Sequence, residues 1–310
     1  MVQNDEHTIT STLQSIVSLG PILVADISSS DKTISICRQF KAEIFRLPKK
    51  NCMNILCDKS KTNWNLFLHP WEVLACGHKE IAEVHDGSSC YIQIFQNSVN
   101  GDTISKEIRL WNKRYDIKFH NPVFETILDD KAIFLENSCI YAQLHELNYD
   151  KLLLEIEDWK KSQPTACEPY YYKACLLLNQ GKYSEFLSTV ELYLFRKMEG
   201  MATITLKYYA ALIYLYFGDL NKSIYHITGC LVVCPLMAEY WCLLADIFYK
   251  ANDFNKAYAF YQNAIILGRK RPSIDKWPVE IVKYKDYPEK MMESCKNMIK
   301  SSKSYELVNI

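Results

Sequence analysis

Between residues 6 and 18 the apolar positions Ile9, Leu13, Ile16 and Val17 recur at helical spacing, and a helix is predicted there. PILVAD, residues 21–26, is a short apolar run ending on a carboxylate and reads as a strand. SSSDKTISICRQF then opens a second helix, with a serine available as N-cap and Asp31 near the positive end of the helix dipole. The alternation continues with a strand at 43–46, a weaker helix near 51–61 and a strand at 63–69. Strands separated by helices predict a parallel sheet with helices on its faces. Ligands in such sheets bind beyond the carboxyl ends of strands, where Asp26 and the segment from His69 to Glu72 fall. CYIQIFQ, ISKEIRLW and YDIKFH alternate as antiparallel strands do. Asp26 and Asp31, set around three serines, also suit plain turn and helix-cap chemistry.

The second half repeats. Gly218 and Pro235 lie 17 residues apart, with small residues at Ala211, Ser223 and Cys230 and a large one at Tyr214. Trp241, Ala245, Phe248, Phe254, Ala257 and Ala264 fill the matching slots 34 residues later. An earlier copy, EPYYYKACLLLNQGKYSEF, aligns through Ala174, Gly181 and Tyr183 at an offset of 37. The pattern resembles the tetratricopeptide repeat and predicts three helical hairpins over about 168–269, preceded by a helix near 152–161. The small positions let paired helices approach and the aromatics fill the space between hairpins, so both are predicted core. Alternatively Tyr170, Tyr171, Tyr172, Tyr208, Tyr209, Tyr240 and Trp241 line a concave peptide groove. The tail from Pro272 carries three prolines and then a basic helix, read as a capping element. The expected domains are 1–145, α/β, and 146–310, all-α.

Composition narrows the setting. Lys+Arg and Asp+Glu balance at 36 each, so no global field favours nucleic acid or an acidic membrane. The 12 cysteines include no CxxC pair and read as reduced thiols. MVQNDEHT is too polar for a signal peptide and no apolar run approaches the ~18 residues of a membrane span. A cytoplasmic location is the resulting expectation.

The order of pieces in the first half resembles family-2 glycosyltransferases of the GT-A fold, a Rossmann-like mixed sheet. MVQNDE resembles their opening strand and Asn-Glu-Glu turn, and PILVADISSSDKT their second strand with its Asp-x-Gly-Ser-Thr-Asp turn, with Ser28 replacing glycine. TNWNLFLHPWEVL resembles the strand before the Asp-Ala-Asp-Glu metal motif, and RLWNKRYDIKFHNPVFETI the Arg-Leu-Phe and Ile-His-Glu segments. Members carrying tetratricopeptide repeats after the transferase domain are known.

The resemblance implies inverting transfer of a sugar from a nucleoside-diphosphate sugar to a protein or glycan acceptor. It implies Glu125 as the base, Asp26 on the nucleobase or ribose, and Asn4, Glu6 and Asp31 about the nucleotide. The metal motif departs from the family, because His69 and Trp71 stand where two aspartates are expected and only Glu72 remains. Phe124 likewise replaces the family histidine before Glu125. Indole offers no ligand atom to a hard cation, so Mn²⁺ or Mg²⁺ is not expected, and His69 with Glu72 is at most a reduced site. Three readings follow: that reduced metal site, cations such as Arg109, Lys113 and Arg114 replacing the metal on the diphosphate with Trp71 as a wall, or a retired pocket on a scaffold that binds proteins through its repeats.

Overall fold

The computed structural model describes residues 1–96, 102–143, 148–196, 199–272, 275 and 278–308. Two compact units result, Met1–Leu147 with Lys276–Pro278, and Asn148–Asp275 with Val279–Ile310.

The first unit runs α1 (Ile9–Ile16), β1 (Leu23–Asp26), α2 (Thr33–Gln39), β2 (Glu43–Arg46), α3 (Cys52–Lys59), β3 (Trp64–Leu66), β4 (Glu72–Cys76), α4 (His78–Ala82), β5 (Ser89–Gln96), β6 (Thr103–Asn112), β7 (Phe119–His120), β8 (Thr126–Ile127) and β9 (Ile133–Ala142). β1 and β2 pair in parallel from Leu23 with Glu43 to Asp26 with Arg46, and Val2 forms a single parallel bridge to Asp26 on the other side. Val24, Ile9, Leu13 and Cys37 close the core beneath them.

The expected parallel sheet is therefore short. β3 belongs elsewhere: it pairs antiparallel with β6, which pairs antiparallel with β5. β5 runs parallel to β9, and β9 antiparallel to β4. Leu74, Ile92, Leu110 and Ile140 form the core of this mixed sheet. β4 and β9 were not legible as strands, because EVLAC is short and IFLENSCIYA is interrupted by ENS, where the pairing with β5 shifts register. YDIKFH, expected as a strand, is broken by Asp116 at φ 43, so only Phe119–His120 of it pairs.

The second unit is built of α5 (Tyr149–Ser162), α6 (Glu168–Asn179), α7 (Tyr183–Phe195), α8 (Met201–Phe217), α9 (Leu220–Val233), α10 (Ala238–Lys250), α11 (Phe254–Gly268) and α12 (Asp286–Val308). Three hairpins, α6/α7, α8/α9 and α10/α11, carry the repeat. Their turns share one geometry. Gly181, Gly218 and Asn252 adopt left-handed φ values of 70, 86 and 61. In each turn the next amide reaches five residues back, Lys182 to Leu177, Asp219 to Tyr214 and Asp253 to Phe248, all at 2.9 Å. This is the Schellman ending, in which a left-handed residue satisfies carbonyls the helix leaves open. Asp219 and Asp253 then cap the following helices, accepting from the Lys222 and Lys256 amides.

Ala174, Ala211 and Ala245 are fully buried at equivalent positions, as are Ser223 with Ala257 and Cys230 with Ala264. The first hairpin instead sets Phe186 and Tyr193 at those last two positions. Asn252→Gly should stabilise the third hairpin by up to ~1 kcal/mol, and Gly218→Ala should cost ~1 kcal/mol or more, since alanine tolerates the left-handed region poorly. Chemical denaturation followed by helical ellipticity measures both; equal midpoints for the Gly218→Ala variant and the parent would refute the turn argument.

The C-terminal helix caps the array. Asp246 of α10 accepts from Tyr261 at 2.5 Å and from Tyr287 at 2.6 Å, and Cys295 lies fully buried with Tyr261 and Ala264. Glu239 accepts from the Glu280 amide and the Tyr284 hydroxyl, each at 2.8 Å, while Arg271 bonds the same hydroxyl. Among the described residues no helix is long and apolar enough to cross a membrane.

Candidate functional site

The four polar residues assigned to a nucleotide are brought together just beyond the carboxyl end of β1. Asn4, at φ 61, presents Oδ1 to the Ser30 amide at 2.8 Å, and its own amide donates to Ser29 Oγ at 3.2 Å. Glu6 Oε2 accepts from the Lys32 amide at 2.9 Å. Asp31 accepts from the Thr33 amide at 3.0 Å and from the Glu6 amide at 3.1 Å. Burial works to raise the Asp31 carboxyl, but the Thr33 hydroxyl and these amides outweigh it and hold the group below the usual range. Asp26, buried, accepts from the Ser29 amide at 2.9 Å, with Arg46 Nε 3.6 Å away. The result is a clasp in which two turns satisfy each other's amides, so turn chemistry accounts for these bonds of Asp26 and Asp31.

The second cluster lies where β3 gives way to β4. Phe67, anchored by its amide on the Arg109 carbonyl, meets His69 edge-on with ring centroids 4.7 Å apart, and His69 stacks on Trp71 at 4.6 Å and 7°. Against the Phe67 ring Arg109 and Glu72 form a two-pronged ion pair, Nη2 to Oε1 at 2.8 Å and Nη1 to Oε2 at 3.1 Å, with both side chains under 5% exposed. Glu107 takes the same Nη2 at 3.0 Å, and the His69 amide donates to Glu72 at 2.8 Å.

Burial pushes the Glu72 carboxyl up, against the pull of Arg109 and the His69 amide. Arg109, expected on a diphosphate, thus spends its fork on Glu72, and Glu72, expected as the remaining metal carboxylate, is neutralised by it. Each is the partner that permits the other's burial. Lys113 is similarly occupied by the Asp58 and Ser60 carbonyls. Among the described residues no group of three or more His, Cys, Asp or Glu side chains is placed to hold a metal ion.

Glu125 occupies the turn between β7 and β8, after Phe124 at φ 56. Burial pushes its carboxyl up to about 7, against the opposing pull of the Met1 amine, the Met53 amide and Lys49. A carboxyl in that range suits proton transfer at neutral pH.

A further hollow of this unit has none of Asn4, Glu6, Asp26, Asp31, Glu72, Arg109 and Glu125 in its walls and shares Phe67 with the second cluster. A cleft of about 450 Å³ opens beside the amino ends of β1 and β2, with Ile9, Leu13, Leu23, Leu66, Leu68 and Trp111 among its walls. Its lining comes from several separate segments, so no local sequence pattern marked it.

On the helical unit, Tyr216 and Phe217 at the end of α8 are 70% and 54% exposed and form a ring cluster with Tyr183, at 5.7 and 6.3 Å. Of the residues offered for a groove, Tyr208 and Tyr240 are buried against each other at 5.2 Å, Tyr170, Tyr171, Tyr172 and Trp241 are half-buried, and Tyr209 is exposed.

No protein-family profile matches the chain, and no curated protein matches it. Solved structures do overlap with it in part. MamA from Desulfovibrio magneticus RS-1 is similar over 52% of this chain and 86% of its own, at 14% identity and a TM-score of 0.39. A tetratricopeptide repeat protein from Parabacteroides merdae covers 48% of this chain and 54% of its own, at 13% identity and 0.40. The Sgt2 TPR domain from Aspergillus fumigatus covers 44% and 82%, at 15% identity and 0.35. The repeat assignment itself rests on the three matching turns described above.

Proposed function

We propose that this protein is a non-catalytic interaction scaffold, a unit of glycosyltransferase-like ancestry joined to helical repeats that dock protein partners. The observation that carries this reading is the buried Glu72–Arg109 pair, which consumes the carboxylate and the guanidinium that a metal or a diphosphate would need. The exposed Tyr216 and Phe217 rings, with the half-buried Tyr183 ring against them, supply the kind of apolar patch that marks a protein contact site.

A second reading keeps the transferase. It is favoured by the convergence of Asn4, Glu6, Asp26 and Asp31 at a strand end and by the raised carboxyl of Glu125. In it Glu125 is the base, Asp26 meets the nucleotide, and Trp71 and His69 wall the donor without Mn²⁺ or Mg²⁺. Calorimetry with UDP, GDP and their sugars, with and without Mn²⁺, separates the two readings. The scaffold reading expects no saturable heat and an unchanged melting point. Binding that Asp26→Asn abolishes would overturn it and establish the second. Independently, Tyr216→Ser with Phe217→Ser should remove partners recovered by proximity labelling while leaving the melting point in place.

A further inference from the structure

Two thiols that neither reading uses belong to residues paired in register between β4 and β9. Cys76 closes β4, and Cys139 in β9 is its register partner in the antiparallel pairing, just after a bulge between Leu74 and Cys76. Opposed residues of antiparallel strands have Cα atoms about 4.5–5.5 Å apart and project to one face. That separation lies within the span a disulfide bridges. The neighbouring pair draws the backbones tighter still. Gly77, at φ 94, packs so closely that a Cβ there would overlap Ser138 Cα and Oγ. Glu80 of α4 fixes the opposite strand, accepting from the Asn137 amide at 3.2 Å and from Ser138 Oγ at 2.5 Å.

Access differs between the two sulfurs. Cys76 is exposed, Cys139 is half-buried, and the other ten thiols are buried or half-buried. Burial pushes the Cys139 thiol up, and the neighbouring Cys76 adds to the effect. Cys76 is therefore the sulfur a reagent meets first, and Cys139 the one held ready beside it.

We propose that Cys76 and Cys139 are a dithiol modification site that a peroxide closes to a cross-strand disulfide. In the first step the Cys76 thiolate attacks the peroxide, its sulfur is oxidised to a sulfenic acid, and the O–O bond breaks to release one water. In the second the Cys139 thiolate displaces hydroxide from that sulfur, the S–S bond forms and a second water leaves. Two thiols lose two electrons and two protons, and the peroxide takes them up. The new bond ties β4 to β9 beside Asn137 and Ser138, the β9 residues that Glu80 holds.

The test uses the full chain, reduced, freed of reductant, treated with graded hydrogen peroxide and then alkylated for peptide mapping. Cys76 and Cys139 should escape alkylation together, in one linked peptide pair about 2 Da lighter than the sum of the two, at peroxide levels that leave the other ten thiols alkylated. The oxidised protein should melt several degrees higher, and reductant should reverse the shift. In Cys76→Ser, Cys139 should remain alkylated and the shift should vanish. Cys76 passing to its sulfinic acid while Cys139 still alkylates, or another pair linking first, would overturn the proposal. Because mapping of the unmutated chain decides the matter, a folding defect in the variant does not shield it.

Discussion

Arg109→Met alone should destabilise the first unit by about 3–5 kcal/mol, because it strands the Glu72 carboxylate in a site with almost no access to water. Glu72→Leu alone should cost a similar amount, by stranding the guanidinium instead. The double replacement should recover most of the loss, since a buried ion pair exchanged for apolar side chains of similar volume is often neutral or better. Glu107, about half exposed, returns to water in that variant without leaving a buried charge. Hydrogen exchange of the β4 and β6 amides reports the effect locally, which avoids treating a chain of two units as a single transition. If Arg109 were held in reserve for a ligand, its single replacement would leave stability nearly unchanged and act on binding alone. The two readings of the site therefore differ by several kcal/mol in the absence of any ligand.

Tyr261→Ala should cost about 3–5 kcal/mol, the range for truncating a fully buried aromatic, as the ring has no accessible surface and the helices around it relax only in part. Tyr261→Phe isolates the hydroxyl. Asp246 keeps its bond from Tyr287 at 2.6 Å in that variant, so the loss should fall to about 1–1.5 kcal/mol. Denaturant midpoints followed by ellipticity distinguish the two. A Phe variant as weak as the Ala variant would mean that the polar junction, and not the packed ring, holds α10, α11 and α12 together.

Local chemistry made much of this architecture readable, and long-range pairing hid the rest. Gly218, Ala211, Ser223 and Cys230 marked the second hairpin because each repeat carries its own turn and its own small contact positions. Asn252 escaped notice as the third turn residue because asparagine enters the left-handed region only where the helix ending demands it. β1 and β2 were legible as short apolar runs flanked by turn signals. The membership of β3 was not, since nothing in NWNLFLH specifies whether its neighbour is Val2 or β6.

The candidate site was legible only in part, on the same ground. Asn4, Glu6, Asp26 and Asp31 do gather beyond one strand end, yet a sequence motif records which polar groups are present and not which of them already bond each other. The Glu72–Arg109 pair, 37 residues apart in sequence, is the plainest case.

The helical array also has unlike ends. At α12, Asp246 accepts from Tyr287 as well as from Tyr261 of its own hairpin, and Glu239 gathers the Glu280 amide and the Tyr284 hydroxyl, so that end is laced to the hairpin before it. At α5 the lacing is thinner, a Glu157–Lys173 ion pair at 2.7 Å with Ile156 and Trp159 turned inward. Because stacked repeats lose order from whichever edge has the weaker neighbour contact, breathing of this array should begin at α5 and travel toward α10. The first hairpin then loosens while the third still holds, and the Tyr183 ring leaves Tyr216 and Phe217 before α12 detaches. A partner that grips those three rings would therefore close the loose end, doing from outside what Asp246 and Glu239 do at the other.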